Sequence, residues 1–97
     1  MEIIRGTTPT IIIELEDDVK FSDLGKVVLR IKQGTTIIDK EPYETEDNTG
    51  KFRYTESETL KLIEGKAWIQ LVGKDDNVEK TIVYEIEILK SLWNEVV

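Results

Sequence analysis

The sequence of 97 residues contains no cysteine and no histidine. Without cysteine there is neither a disulfide bond nor a thiolate ligand for a metal, which argues against a disulfide-stabilised secreted module. Histidine is the commonest general base in enzymes, and cysteine is their strongest free nucleophile. We therefore expect no catalysis by these two residue types and no bound cofactor or metal, which leaves paired carboxylates as the remaining catalytic possibility.

Long apolar runs and an excess of positive charge are also missing. No run approaches the roughly 20 apolar residues that span a bilayer, and Met1–Arg5 lacks the basic and apolar regions of a signal peptide. The 13 basic and 20 acidic residues give a net charge of −7, which argues against nucleic acids and anionic membranes as partners. We expect a soluble protein made in the cytoplasm, and the charge indicates nothing narrower than that.

What the sequence does have is apolar residues at alternate positions, most clearly in Lys26–Lys40. The alternation predicts that the first strand of this segment buries one face, formed by Val27, Leu29 and Ile31. Its solvent face is then formed by Val28, Arg30 and Lys32. Gly34 accepts a positive φ angle without a steric clash, so it favours a tight turn. We predict a central β-hairpin onto which the flanking strands add.

The same alternation predicts about seven strands in the whole chain. They lie at Glu2–Arg5, Thr10–Glu16, Lys26–Gln33, Thr36–Asp39, Lys51–Tyr54, Lys66–Gly73 and Val78–Leu89. Short strands separated by turn signals every 8 to 12 residues or so are typical of an all-β sandwich. We therefore predict one domain over residues 1–97, with an Ig-like antiparallel β-sandwich fold that carries one short helical turn.

The segments between the strands carry helix and loop signals. Thr55–Glu58 matches a capping box, in which the first side chain and the fourth residue cap each other's backbone N–H groups. This motif predicts one or two helical turns over Glu56–Leu62. Ser22 is a candidate cap for a single turn at Phe21–Gly25, and the polar segment Glu41–Gly50 is predicted to be a mobile loop.

Carboxylates are the remaining candidates for catalysis or metal binding. They cluster at Asp17-Asp18, at Glu44, Glu46 and Asp47, and at Asp75-Asp76. All three clusters lie in predicted turns, where acidic residues are usually solvated, and a catalytic pair needs a pocket that perturbs its pKa. A calcium site is conceivable if two of these segments, Asp17-Asp18 and Asp75-Asp76-Asn77, meet at one end of a sandwich. The sequence contains no EF-hand spacing, so we favour the interpretation that both segments are ordinary turns.

The two tryptophans offer a choice between core and contact surface. Trp68 alternates with the apolar positions of its strand and lies either on the second face of the sheet or on a contact surface. Large aromatic residues are mostly buried, which favours packing in or near the core. Trp93 lies in an apolar tail, residues 90–97, whose exposure to water costs about 25 cal/mol per Å². The tail either folds back over its own core or docks on a neighbouring subunit, and both alternatives stay open.

Several short motifs follow one another along the chain. They are RGTTPT at Arg5–Thr10, Asp23-Leu24, Lys32-Gln33, Asp39-Lys40, TESETLK at Thr55–Lys61 and GKAWIQ at Gly65–Gln70. This set resembles small structural proteins of tailed phages and prophages of Gram-positive bacteria, in which the last two motifs read TQEET-L-K and G-K-V-x-I-Q. The layout is also similar to the N-terminal β-sandwich domain of siphophage baseplate upper proteins. Two segments depart from the pattern: the tail with Trp93 has no counterpart, and Gln70–Gly73 stands where the family has a QVR-like sequence.

The resemblance implies a structural, non-enzymatic protein of a phage or prophage particle, in the tail or baseplate. Such a protein is made in the cytoplasm of the bacterial host and is then built into the virion, where it contacts other virion proteins or further copies of itself. From the apolar tail and the kink around the first proline, we predict an interface formed by Arg5, Thr8, Pro9, Leu92 and Trp93.

Two other function classes stay open at this point. A carbohydrate- or ligand-binding β-sandwich module needs an exposed aromatic pair beside polar groups, such as Trp68 with Tyr43 or Tyr54. An acid-pair hydrolase needs a deep cleft with two convergent carboxylates.

Overall fold

The structure, a computed structural model, describes residues 1–73 and 82–90, which form eight strands and two short helical segments. The strands are β1 (Glu2–Ile4), β2 (Thr10–Glu14), β3 (Val27–Gln33), β4 (Thr36–Lys40), β5 (Glu44–Glu46), β6 (Thr49–Arg53), β7 (Gly65–Gly73) and β8 (Ile82–Leu89). The helical segments are a 3-10 turn (Phe21–Leu24) and helix α1 (Glu56–Thr59). Neither helical segment is long and apolar enough to cross a membrane.

The strands are arranged in two sheets that face each other. The larger sheet has five strands in the order β1-β8-β7-β3-β4, and the smaller has three in the order β2-β6-β5. This arrangement is an all-β, sandwich-like fold. The predicted all-β fold is therefore confirmed, with the difference that β1 pairs with β8 in parallel, whereas the other pairs among the described strands are antiparallel.

The predicted hairpin is present, but it lies at one edge of the larger sheet and not at its centre. Strands β3 and β4 pair from Leu29 opposite Lys40 to Gln33 opposite Thr36. The turn between them contains Gly34 at a φ of +59°, a conformation that a residue with a Cβ rarely adopts. β3 also pairs with β7 on its other side, so the hairpin joins the larger sheet through β3, and β4 is the last of the described strands on that side.

The core lies between the inner faces of the two sheets. It consists of Ile3, Ile11, Ile13, Phe21, Val27, Leu29, Ile31, Ile38, Phe52, Tyr54, Leu62, Ala67, Ile69, Leu71, Ile86 and Ile88. Tyr54 follows β6, and its hydroxyl donates a hydrogen bond to the backbone oxygen of Leu29 at 2.5 Å. Burial is the main cause that raises the pKa of the Tyr54 phenol. Because β6 and β3 belong to different sheets, this buried bond ties the sheets together.

The 3-10 turn closes one end of the core. The ring of Phe21 lies 6.4 Å from that of Phe52, measured between centroids. Phe21 also packs over Gly50, where an added Cβ would lie 2.6 Å from the ring carbon Cζ. This close approach explains why β6 carries a glycine at an inward position. The turn follows Lys20, with no side-chain cap, so the prediction that Ser22 caps it is wrong.

Strand β5 is the main difference from the prediction. The segment Glu41–Gly50, expected to be a mobile loop, contains β5 and the first residues of β6, so the described strands number eight. All three residues of β5 are exposed, and β6 is their only partner among the strands that the structure describes. Without a buried face, β5 shows no apolar alternation in the sequence, which is why the pattern did not reveal it.

One burial prediction and one helix boundary also need correction. The alternation predicts Val28 on the solvent face of β3, yet only 4% of its surface is exposed. The helix predicted over Glu56–Leu62 ends at Thr59. The short helical turn predicted in Phe21–Gly25 is present as the 3-10 turn. The last predicted strand is described from Ile82 onward, and its first four residues lie outside the described ranges.

Candidate interaction surfaces

The crossing segment, Arg5–Pro9, carries the chain from β1 to β2 and is held by hydrogen bonds within the molecule. The guanidinium of Arg5 donates from Nε to the backbone oxygen of Leu62 at 2.6 Å and from Nη2 to that of Leu60 at 3.0 Å. The backbone oxygen of Pro9 accepts a bond from the N–H of Tyr54 at 3.1 Å. Arg5 therefore ties the chain after α1 to the end of β1.

Thr59 joins α1 to the same segment and is a fully buried polar residue. Its Oγ1 accepts a bond from the N–H of Gly6 at 3.0 Å. The hydroxyl also lies 2.8 Å from the backbone oxygen of Thr7 and 3.2 Å from that of Glu56, either of which accepts its proton. The RGTTPT and TESETLK motifs are thus in contact and form one structural unit.

The predicted capping box is confirmed at the start of α1. Glu58 N–H donates to the hydroxyl of Thr55 at 3.3 Å, and the carboxylate of Glu58 accepts from the N–H of Thr55 at 2.8 Å. Lys40 forms an ion pair with the same carboxylate at 3.2 Å. Burial on its own would raise the pKa of Glu58, but the hydrogen bonds from Thr55 and Lys40 outweigh it, so the pKa is lowered.

The lowered pKa of Glu58 predicts a stability that depends on pH. A carboxylate whose pKa is lower in the folded state stabilises the fold above its unfolded pKa, and this contribution is lost as the pH falls through the folded value. We expect Glu58→Gln to be less stable than the wild type at pH 7, by less than about 1 kcal/mol. The difference should shrink as the pH is lowered from 7 to about 3 in urea unfolding. Glu64→Gln, at an exposed position outside the capping box, is the control, and an equal Glu58→Gln effect at both pH values would contradict the assignment.

The residues predicted to form an interface differ in how far they are exposed to solvent. Thr8 is exposed, whereas Arg5 and Pro9 are half-buried. Leu92 and Trp93 lie outside the described residues. The interface stays a prediction, to which the structure adds that Arg5 already has partners within the chain.

The outer face of the larger sheet exposes an aromatic residue, Trp68, at 48% of its surface. The prediction that Trp68 packs in or near the core is therefore wrong. Trp68 pairs across the strands with Lys32 on one side and Glu85 on the other. Ile37, half-exposed at 51%, pairs with Lys32 on the far side. We call this row of four residues the Trp68 face.

Neither of the two aromatic pairs predicted for a carbohydrate site is assembled, and both lie within the described residues. Tyr54 is buried in the core, so it cannot pair with Trp68 on a surface. Tyr43 is exposed and lies under the guanidinium of Arg53, whose carbon is 4.9 Å from the ring centroid. Arg53 alternates with the buried Phe52 and so belongs to the outer face of the smaller sheet, opposite to the side that carries Trp68.

The described acidic clusters lie on the surface. Glu44, Glu46 and Asp47 line one cavity of about 180 Å³ together with Lys51, which forms an ion pair with Glu44 at 3.6 Å. Asp17-Asp18 is exposed in a turn, and Asp75-Asp76 lies outside the described ranges. Within residues 1–73 and 82–90, no three acidic side chains are placed to hold a metal ion.

A groove between the two sheets is the feature that the sequence did not reveal. Tyr84 lies on the same face of β8 as the buried Ile86 and Ile88, but 56% of its surface is exposed. Two adjoining cavities of about 330 and 270 Å³ share Tyr84 and Glu14 in their walls. We call this groove the open seam. Period-two alternation correctly places Tyr84 inward, but it cannot show that the opposite sheet stops short.

No protein-family model matches this chain, and no curated protein matches it in a sequence comparison. The surfaces described above therefore carry the functional argument.

Proposed function

We propose that this chain is a structural, non-enzymatic subunit of a phage or prophage particle, in its tail or baseplate, that acts through contacts with other proteins. The observation that carries the proposal is the Trp68 face. Exposed large apolar side chains grouped on one face mark interaction surfaces, and tryptophan is enriched among the residues that dominate binding energy. The motifs that resemble phage structural proteins give the proposed setting.

The arrangement of charge on this face supports a protein partner. Arg30 donates two hydrogen bonds to Asp39 at 2.8 and 3.0 Å, which raise the pKa of Arg30. Lys66 pairs with Glu85 at 3.4 Å. Charged side chains thus flank Trp68 on both sides, and charged residues around an exposed aromatic residue are a feature of the polar rim of protein interfaces.

A deletion experiment in the host strain tests this function. We expect a prophage that lacks the gene to release particles with defective tails or baseplates, as seen by electron microscopy, and the wild-type gene to restore them. A Trp68→Lys variant should fail to restore them, because it places a charge at the centre of the contact surface. Gln70→Lys, two residues along the same face, is the control and should restore assembly. Normal, infectious particles after the deletion would contradict the proposal.

A carbohydrate-binding module is the second candidate, and the exposed Trp68 is the observation that favours it. Sugar platforms combine aromatic rings with polar groups, and Lys32 and Glu85 flank this ring. The separation of Tyr43 from Trp68 weighs against it, since each ring would act alone. The assembly role needs no second aromatic residue and is therefore preferred.

A further inference from the structure

The open seam exposes an inward face of the larger sheet because the smaller sheet is too narrow to cover it. Strands are spaced about 4.8 Å apart, so a five-stranded sheet is roughly two strand widths broader than a three-stranded one. Tyr84 lies where this cover ends. The apolar lining beside it includes Ile12, Leu15, Leu24 and Leu71.

One wall of the seam is the free edge of β2. Among the described strands, β2 pairs only with β6, through Ile11 opposite Phe52 and Ile13 opposite Gly50, so its other edge is free of them. The bonds from Tyr54 N–H to Pro9 and from Leu15 N–H to Asn48 show that the odd-numbered residues point their backbone groups toward β6. In an antiparallel pair the alternate residues point away. The backbone N–H and C=O groups of Thr10, Ile12 and Glu14 therefore face the free edge, ready to pair with a further strand.

The charge of the seam indicates what kind of strand fits. The charged side chains that line it within the described ranges are those of Glu14, Glu16 and Glu85, and no lysine or arginine side chain lines it there. Glu85 is paired with Lys66, but neither Glu14 nor Glu16 has an ion-pair partner among the described residues. A second copy of this chain, with its net charge of −7, would bring like charges together.

We propose that an extended segment of another protein, with alternating apolar and basic side chains, adds as a strand to the free edge of β2 and fills the open seam. Its backbone pairs with Thr10, Ile12 and Glu14. Its apolar side chains pack beside Tyr84 and Leu71, while its basic side chains meet Glu14 and Glu16. This mode of binding is β-strand addition, in which main-chain bonds give affinity and alternate side chains give specificity. The inference rests on the proposed function, for which it names a contact surface and a partner chemistry.

A titration of the full chain, labelled with ¹⁵N, tests this proposal by NMR. The probe is a synthetic peptide of alternating valine and lysine, compared with one of alternating valine and glutamate. We expect the valine–lysine peptide to shift the amide signals of Thr10, Ile12, Glu14 and Tyr84, and the valine–glutamate peptide to leave them unchanged. The absence of shifts at millimolar peptide, equal binding of both peptides, or shifts confined to other strands would overturn the proposal.

Two variants sharpen the test. Ile12→Pro removes an N–H that faces the free edge but none that bonds β6, so it should fold and bind at least about tenfold more weakly. The double variant Glu14→Lys with Glu16→Lys changes only exposed side chains and should reverse the preference, binding the valine–glutamate peptide instead. An unchanged preference in the double variant would contradict the charge argument even if Ile12→Pro failed to fold.

The outcomes separate this proposal from the assembly role. If the deletion abolishes particle assembly but no peptide binds, the seam proposal alone fails. If the valine–lysine peptide binds as described but the deletion leaves particles intact, the seam stands as a binding site and the phage role fails.

Discussion

The Phe52→Ala variant is expected to lose about 3–5 kcal/mol of unfolding free energy, since truncation of a buried aromatic ring removes its burial energy and leaves a cavity. Phe52 is completely buried between the two sheets and packs against Phe21. A loss of this size is a large share of the roughly 5–15 kcal/mol that stabilises a typical domain. Urea unfolding followed by circular dichroism measures it.

Arg53→Ala is the matched control for Phe52→Ala. Arg53 is the next residue on β6 and points to the outer face, where it contacts Tyr43 and Thr10. We expect this variant to lose less than about 1 kcal/mol, as is usual for exposed polar and cation–π contacts. Similar losses in the two variants would mean that β6 does not alternate between a buried and an exposed face.

Replacement of Thr59 by valine is expected to cost about 1–3 kcal/mol, although the shape of the side chain is almost unchanged. The methyl group that replaces the hydroxyl can neither accept the proton of Gly6 N–H nor donate to the backbone oxygen of Thr7. These backbone groups would then be left without their partner. The loss should be accompanied by faster hydrogen exchange at the amide of Gly6.

Thr8→Val provides the comparison for Thr59→Val within the crossing segment. Thr8 is exposed, so the same chemical change should alter the unfolding free energy by less than about 0.5 kcal/mol. A Thr59→Val variant as stable as Thr8→Val would show that α1 does not anchor the crossing segment. In that case the contact between the RGTTPT and TESETLK motifs would not contribute to the stability of the fold.

The sequence predicts the parts of this fold whose signal is local. Alternation identified β3, β4 and β7, Gly34 identified the hairpin turn, and Thr55–Glu58 identified the start of α1. Each of these depends on residues a few positions apart. Strand β5 has no buried face, so no comparable signal exists for it.

The candidate surfaces depend on contacts between distant parts of the chain and were harder to predict. Arg5 bonds to oxygens more than fifty positions away in sequence, at Leu60 and Leu62. Trp68 and Tyr84 alternate with their neighbours as expected. Alternation shows on which face of the sheet a side chain lies, but not how much of that side chain other residues cover. The widths of the two sheets decide whether an inward residue such as Tyr84 is exposed.

The most direct test of the central claim is quantitative mass spectrometry of purified particles from the strain that encodes this chain. We propose that the chain is a stable structural component of such a particle. The account predicts that its peptides remain with particles through density-gradient purification, at a fixed ratio to a known tail or baseplate protein. Absence from the particles, or a ratio that falls with each purification step, would contradict it.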